Sequence, residues 1–272
     1  MGRGRALFEV FTSALKEDYR FPILEVFVFL YATATVVFTG AATNAISGLG
    51  LGISGEALVV VLISSFTEFP LFVFVVLVLK NIAYGIGNDL DKGIIQTLFS
   101  YPMKRRSILT AKLLSSLGVA VFLFLGVQIF SLFVIVPDII SPYIGTLLLS
   151  YAGILSFPLL VAGLVLILTL LLKKGGIDLI FGVILYFGSE IFSSTLQFLA
   201  VSTDSEMPLR ILAVIAPHFA LQEYYKAQEY PYIQPPLSVS FNDCILYMGI
   251  SYALVFLVFL ISYLYFERRL EK

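Results

Sequence analysis

Six long apolar runs dominate the chain, at about 22–40, 57–84, 107–136, 145–172, 177–200 and 244–266. A helix needs roughly 20 apolar residues to cross the hydrocarbon of a bilayer, so each run predicts a membrane-spanning helix. Several are longer than that, which predicts tilt or protrusion beyond the bilayer. Ahead of the first run, Leu7, Phe8, Phe11, Leu15 and Tyr19 recur at spacings of three and four among Arg3, Arg5 and Lys16. That spacing predicts an amphipathic helix along the membrane interface, with a short solvated tail as the plainer alternative. The first 20 residues hold no uninterrupted apolar core, so a cleaved signal peptide is not expected.

The segments between the runs differ in character. Residues 41–56 (AATNAISGLGLGISGE) are rich in Gly and Ser and predict a flexible loop, and residues 137–144 (PDIISPYI) predict a tight turn. Residues 201–243 pair a stretch of helical apolar spacing, MPLRILAVIAP, with a Tyr-rich one, which predicts short re-entrant-like helices dipping into the outer interface before the last span. The predicted fold is an all-α integral membrane protein, a single transmembrane domain over residues 1–272 with six transmembrane helices and an N-terminal interfacial helix.

Composition narrows this further. The 272 residues are 59% hydrophobic and only 13% charged, with a mean hydropathy of +0.98. Soluble domains carry roughly 25% charged residues, so no separate soluble domain fits. The single Cys244 excludes an intrachain disulfide and a cysteine metal cluster. Fifteen of the 17 Lys and Arg residues fall on one side of the predicted topology, and only Arg210 and Lys226 on the other. The positive-inside rule makes the basic side cytoplasmic, with both termini there. The external connections are too short for a large ectodomain, and nothing predicts a nucleic-acid partner.

One charged segment interrupts the apolar pattern. Residues 88–112 (NDLDKGIIQTLFSYPMKRRSILTAK) set Asp89, Asp91, Lys92, Lys104, Arg105, Arg106 and Lys112 around Ile94, Ile95, Leu98 and Phe99. Asn88, Asp89 or Asp91 can cap a helix N-terminus, where a carboxylate suits exposed N–H groups and the positive end of the dipole. Ile94, Ile95, Leu98 and Phe99 predict one apolar face, and Pro102 closes the helix near Ser100. The result is a short amphipathic helix parallel to the membrane, which either rests on lipid or presents a face to a partner.

In this segment the chain resembles the type-2 ABC exporter permeases, the family of transmembrane subunits of ATP-driven exporters. The likeness lies in Asp91, Gly93 and Ile94, then Leu98, Ser100 and Pro102, then Arg106 and Lys112. The aromatic–basic ending YFERRL (265–270) and the IAPHFAL run (215–221) are similar to that family as well. Asp91 stands where Glu is commoner and Ile94 where Thr is commoner. The resemblance implies that residues 89–102 are a cytoplasmic coupling helix, with docking to a separate nucleotide-binding ATPase subunit carried by Asp91, Gly93, Ile94, Thr97, Leu98, Ser100, Pro102 and Arg106. It also implies a second permease copy, either a homodimer or a close paralogue, in the cell (plasma) membrane. ATP and Mg would bind the partner subunit. This chain has no G-x-x-x-x-G-K-[ST] loop, and Lys173-Lys174-Gly175-Gly176 reads as a turn between spans. No cofactor, metal or catalytic residue is expected in the chain itself.

Two acids fall within predicted spans, Glu68 in SSFTEFPLF and Glu190 in YFGSEIFSS. A carboxylate at mid-bilayer costs roughly 2.5 kcal/mol or more unless paired, hydrated or protonated, so both should face the bundle interior or a water-filled cavity. They read equally as a polar patch on a substrate pathway or as protonated groups bonded between helices. Pro70 predicts a kink two residues after Glu68. Glu25 and Lys80 read as boundary residues that snorkel, and Gln128 and Gln197 as interhelical hydrogen-bonding groups. Three other functions compete. Gly52-Ile53-Ser54-Gly55 with His218 would suit an intramembrane serine protease, an ion-coupled secondary transporter would use Glu68 and Glu190 as proton sites, and a structural anchor would need neither.

Overall fold

A computed structural model describes residues 3–20, 22–49, 55–99, 104–229 and 235–269. Over these residues the protein is all-α and has no strand. The chain begins with α1 (Arg3–Asp18) and α2 (Ile23–Leu49). Helix α3 (Gly55–Lys80) continues through a π-helical segment (Asn81–Gly87) into α4 (Asn88–Asp91), and α5 (Ile94–Leu98) follows. Helix α6 (Arg105–Leu113) passes through a second π-helical segment (Leu114–Gly118) into α7 (Val119–Ile135). Then come α8 (Pro137–Ile140), a 3-10 turn (Ser141–Tyr143), α9 (Ile144–Leu172) and α10 (Gly175–Thr203). Helices α11 (Met207–Ile215), α12 (Pro217–Glu229) and α13 (Phe241–Arg269) complete the chain.

Six of these helices are long and apolar enough to cross a membrane, in the order the hydropathy predicts. This is a multi-pass membrane protein. The second runs unbroken from Gly55 to Asp91, roughly 55 Å at 1.5 Å per residue, and so projects well past the hydrocarbon. Two predicted loops are corrected. Helix α2 extends through Leu49 and absorbs most of the expected 41–56 loop, because Ala41, Ala42 and Ala45 favour helix. The 137–144 turn is itself helical. Pro137 pushes Val136 out of the helical region (φ −133°, ψ 54°) and then starts α8 at its first position, where no donor is needed.

Helices α3 and α9 form the centre, with 56% and 61% of their most apolar windows buried, against 11% for α10 at the periphery. Helix α9 packs on α3, α10, α12 and α13, while α2 and α7 close the other side of α3. The rings that join them are explicit. Phe124 of α7 meets Tyr31 of α2 at 5.8 Å, Phe74 of α3 at 5.0 Å and Tyr151 of α9 at 6.3 Å. The Tyr31 and Tyr151 pairs are edge-to-face and the Phe74 pair is tilted, and aromatic pairs add about 0.5–1.5 kcal/mol beyond their buried area. Beside them Gln128 donates from Nε2 to Thr35 Oγ1 and accepts from Tyr151 Oη at 3.4 Å, the interhelical role expected of it. Gln197 has no such role; it is exposed on α10 and reaches no partner among the described residues.

Helices α11 and α12 form a re-entrant pair. Their apex, Ala216–Pro217–His218, lies against Gly153, where a Cβ would come within 3.1 Å of the His218 backbone nitrogen. Gly153 is nine residues into α9, so the apex sits roughly 14 Å below the α9 N-terminus. Helix α12 then climbs back past Ser64, which accepts from Gln222 Nε2 at 2.5 Å. Helix α13 starts on a reciprocal cap: Asp243 Oδ2 accepts from Ser240 N (2.8 Å) and Oγ (2.7 Å), and Ser240 Oγ accepts from Asp243 N (3.3 Å).

The close approach at Gly153 generates a stability prediction. Replacing Gly153 with Val forces the re-entrant pair off α9 and costs about 1–3 kcal/mol of overpacking. A lowered thermal unfolding midpoint in mild detergent is the expected reading, and an unchanged midpoint would deny the contact its structural role.

Candidate functional site

Two places in the bundle gather polar chemistry, one at its basic end and one at mid-depth. The basic end is built around the two π-helical segments, which pack against each other and against α1. A π turn breaks the regular i→i−4 ladder and leaves carbonyls for other donors. Ser116 O accepts from Asn81 Nδ2 (3.5 Å) and Tyr19 Oη (3.5 Å), and Gly85 O accepts from Lys112 Nζ (3.3 Å). Lys112 also forms a buried ion pair with Asp89, with side chains 8% and 4% exposed. The pair joins the extended second span to the third.

Asp18, at the end of α1, completes this junction. Its Oδ2 accepts from Ser115 Oγ at 2.6 Å, and its backbone carbonyl accepts from Lys80 Nζ at 3.1 Å. Lys80 is therefore held in place, not snorkelling as its boundary position predicted. Burial pushes the Asp18 carboxyl up to about 6, against the opposing pull of the Ser115 hydrogen bond and of Lys112 and Lys80. Helix α1 presents Ala6, Val10 and Ala14 to the bundle and leaves Phe8 63% exposed. The small residues of α1 are thus its buried ones, and the helix packs on α6.

The coupling-helix prediction needs correction in shape. Residues 88–98 are two short helices broken at Lys92–Gly93, where Gly93 has φ +71°, a conformation open to glycine. Asn88, Asp89 and Asp91 cap nothing, since α4 is the continuous end of the second span. The expected apolar face is also split. Ile95 is buried and Phe99 meets Phe266 of α13 edge-to-face at 6.0 Å, while Ile94 is 42% exposed and Leu98 half-buried. Asp91, Lys92 and Thr97 are exposed beside Ile94. Arg106 is tied to Glu267 of α13 through two guanidinium nitrogens, and Arg105 lies 4.6 Å over the Phe99 ring. Ser100 and Pro102 lie outside the described residues, and so does the helix stop predicted there.

At mid-depth the structure brings together the two intramembrane acids. Glu68, midway along α3, and Glu190, midway along α10, line one cavity of about 560 Å³. Neither side chain has a hydrogen bond or ion pair among the described residues, so the interhelical-bond alternative is not what the geometry shows. The cavity's other walls include Phe157 and Pro158 of α9, Tyr186 and Phe192 of α10, and the re-entrant apex with His218. His218 Nδ1 is buried and unpartnered. Burial pushes that imidazole down to about 4, so it is neutral near neutral pH. Ser54, the nucleophile of the protease alternative, lies outside the described residues.

Sequence reasoning singled out Glu68 and Glu190 from their depth but missed the Asp18, Asp89 and Lys112 junction. The available signal was Lys112 itself, a single charge several residues inside an apolar run, which demands a partner. His218 carried no comparable signal, because only the fold of the re-entrant pair delivers it to the two acids. No family model matches the chain, and neither does any curated protein or solved structure.

The junction yields two predictions. Asp89→Asn alone strands a buried ammonium and costs about 3–5 kcal/mol, whereas joining it to Lys112→Met recovers most of the loss. A double-mutant cycle on unfolding in detergent measures this, and additive losses would mean that the pair is not coupled. For Asp18, the native chain binds a proton more readily than the unfolded one, so its contribution is fully present below the ordinary carboxylate range. That contribution falls as pH rises through about 6. Between about pH 4 and 6 the wild type therefore loses stability relative to Asp18→Asn, read as converging or crossing unfolding midpoints.

Proposed function

We propose that this chain is the membrane subunit of an ATP-driven exporter of the type-2 ABC permease kind, powered by a separate ATPase. The observation that carries the reading is the α4–α5 corner. It exposes Asp91, Lys92, Ile94 and Thr97 together, yet it is fixed to three spans at once. Asp89 ties it to the third span through Lys112, Phe99 to the sixth through Phe266, and α4 is continuous with the second. A soluble partner gripping that corner would move three spans as one lever. An element merely resting on lipid has no need of such anchorage.

The rest follows from this reading. The basic end faces the cytoplasm by the positive-inside rule, in the cell membrane. Two copies, or one copy and a paralogue, alternate access as the ATPases bind and hydrolyse ATP, and outward direction rests on the family resemblance. Within this scheme Asp91, Gly93, Ile94, Thr97 and Leu98 form the docking corner. Arg106 braces it through Glu267 without being a primary contact. Glu68 and Glu190 lie on the substrate pathway. Their shared cavity also favours a second reading, an ion-coupled transporter that needs no motor.

Purification of the tagged chain from its host in mild detergent decides between the two. A soluble ATPase is expected at near-equal amounts. Ile94→Asp, a change at an exposed position, should reduce its recovery about tenfold, an interface loss of ~1.4 kcal/mol, with chain yield unchanged. A chain that purifies alone, with transport driven by a proton gradient, would replace the motor with the ion-coupled reading.

A further inference from the structure

We infer that the mid-depth cavity is a binding site for amphipathic organic cations, molecules with a positively charged nitrogen or phosphorus centre on an apolar body. The inference rests on the transport reading and names its substrate class. Among the described residues that line the cavity, Glu68 and Glu190 are the only charged ones, and no Lys or Arg joins them. The two carboxylates have no partner in the described chain, and an unpaired carboxylate inside a bilayer needs a cation, a proton or water. Gln128, by contrast, is hydrogen-bonded on both sides. The two acids are left open instead.

The walls fit the apolar body of such a ligand. Phe157 and Tyr186 stand 6.3 Å apart with their planes at 33°, and Phe192 lines the same space. Tyr186 lines the cavity together with Glu68 and Glu190, so the rings and the acids share one space. Aromatic faces attract cations by about 0.5–2 kcal/mol when desolvated, so rings and acids favour the same ligand. The re-entrant apex does not reverse the sign. There the negative end of α11 meets the positive end of α12, and the opposed dipoles largely offset. His218 adds a buried, unpartnered Nδ1 on the same wall. A neutral imidazole supplies a hydrogen bond for a polar substituent without repelling a cation. A volume of about 560 Å³ lies within the range of sites that enclose drug-sized molecules.

The test uses the full chain in phosphatidylcholine nanodiscs, with tetraphenylphosphonium as the cation and tetraphenylborate as its anionic isostere. Empty nanodiscs are subtracted. The expected result is saturable binding of tetraphenylphosphonium, no saturable binding of tetraphenylborate, and about tenfold weaker cation binding for each of Glu68→Gln and Glu190→Gln. Glu68→Asp and Glu190→Asp keep the charge and should keep the preference for the cation, which guards against a folding defect in the Gln variants. Equal binding of the two ions, no saturable cation binding, or cation binding indifferent to both Gln substitutions overturns the inference. ATPase recovery from the same preparations reads the transport-subunit proposal separately. If the ATPase is recovered and cation binding is absent, only the substrate class falls. If cation binding is present and no ATPase is recovered, the site stands and the motor is lost.

Discussion

Hydrocarbon offers no hydrogen bonds, so a chain this apolar must satisfy its backbone polar groups within its own helices or cover the places where it does not. The rest of the architecture depends on this constraint. The spans are uninterrupted even where Pro70 and Pro158 occur inside α3 and α9. Departures from regular helix are confined to a few positions, and protein covers them. At the two π-helical segments, the side chains of Tyr19, Asn81 and Lys112 donate to the carbonyls of Ser116 and Gly85. At the re-entrant apex, Pro217 removes one donor and α9 closes over the turn at Gly153.

Polar side chains obey the same constraint in two different ways. At the basic end three pairs stand out: Asp89 with Lys112, Asp18 with Ser115, Arg106 with Glu267. These pairs bind α1, the second span, the third and the sixth into one block beneath the α4–α5 corner. At mid-depth they are left unpaired, with Glu68, Glu190 and His218 turned toward a shared space between α3, α9, α10 and the re-entrant pair. The bundle thus has a rigid junction at one end and an open polar cavity in the middle. The two are joined along one continuous helix, since α3 runs through the first π-helical segment into α4.

Composition and hydropathy along the chain set the class of the protein and the count and order of its spans. Both follow from local composition, since twenty apolar residues in a row have only one way to satisfy their backbone in lipid. The sequence also set the presence of short helices within 201–243 and the depth of Glu68 and Glu190, because depth is counted along a single helix. What it could not supply was anything that depends on which helix stands beside which. The face that α1 buries, the break at Gly93, the outward turn of Ile94 and the Asp89–Lys112 pair were all decided by packing. So was the meeting of Glu68, Glu190 and His218, residues on three separate elements. Hydrophobic periodicity tells a side chain to leave water, but in a membrane nearly every direction satisfies it. Shape and charge complementarity between helices then choose the partner, and those exist only once the bundle has formed.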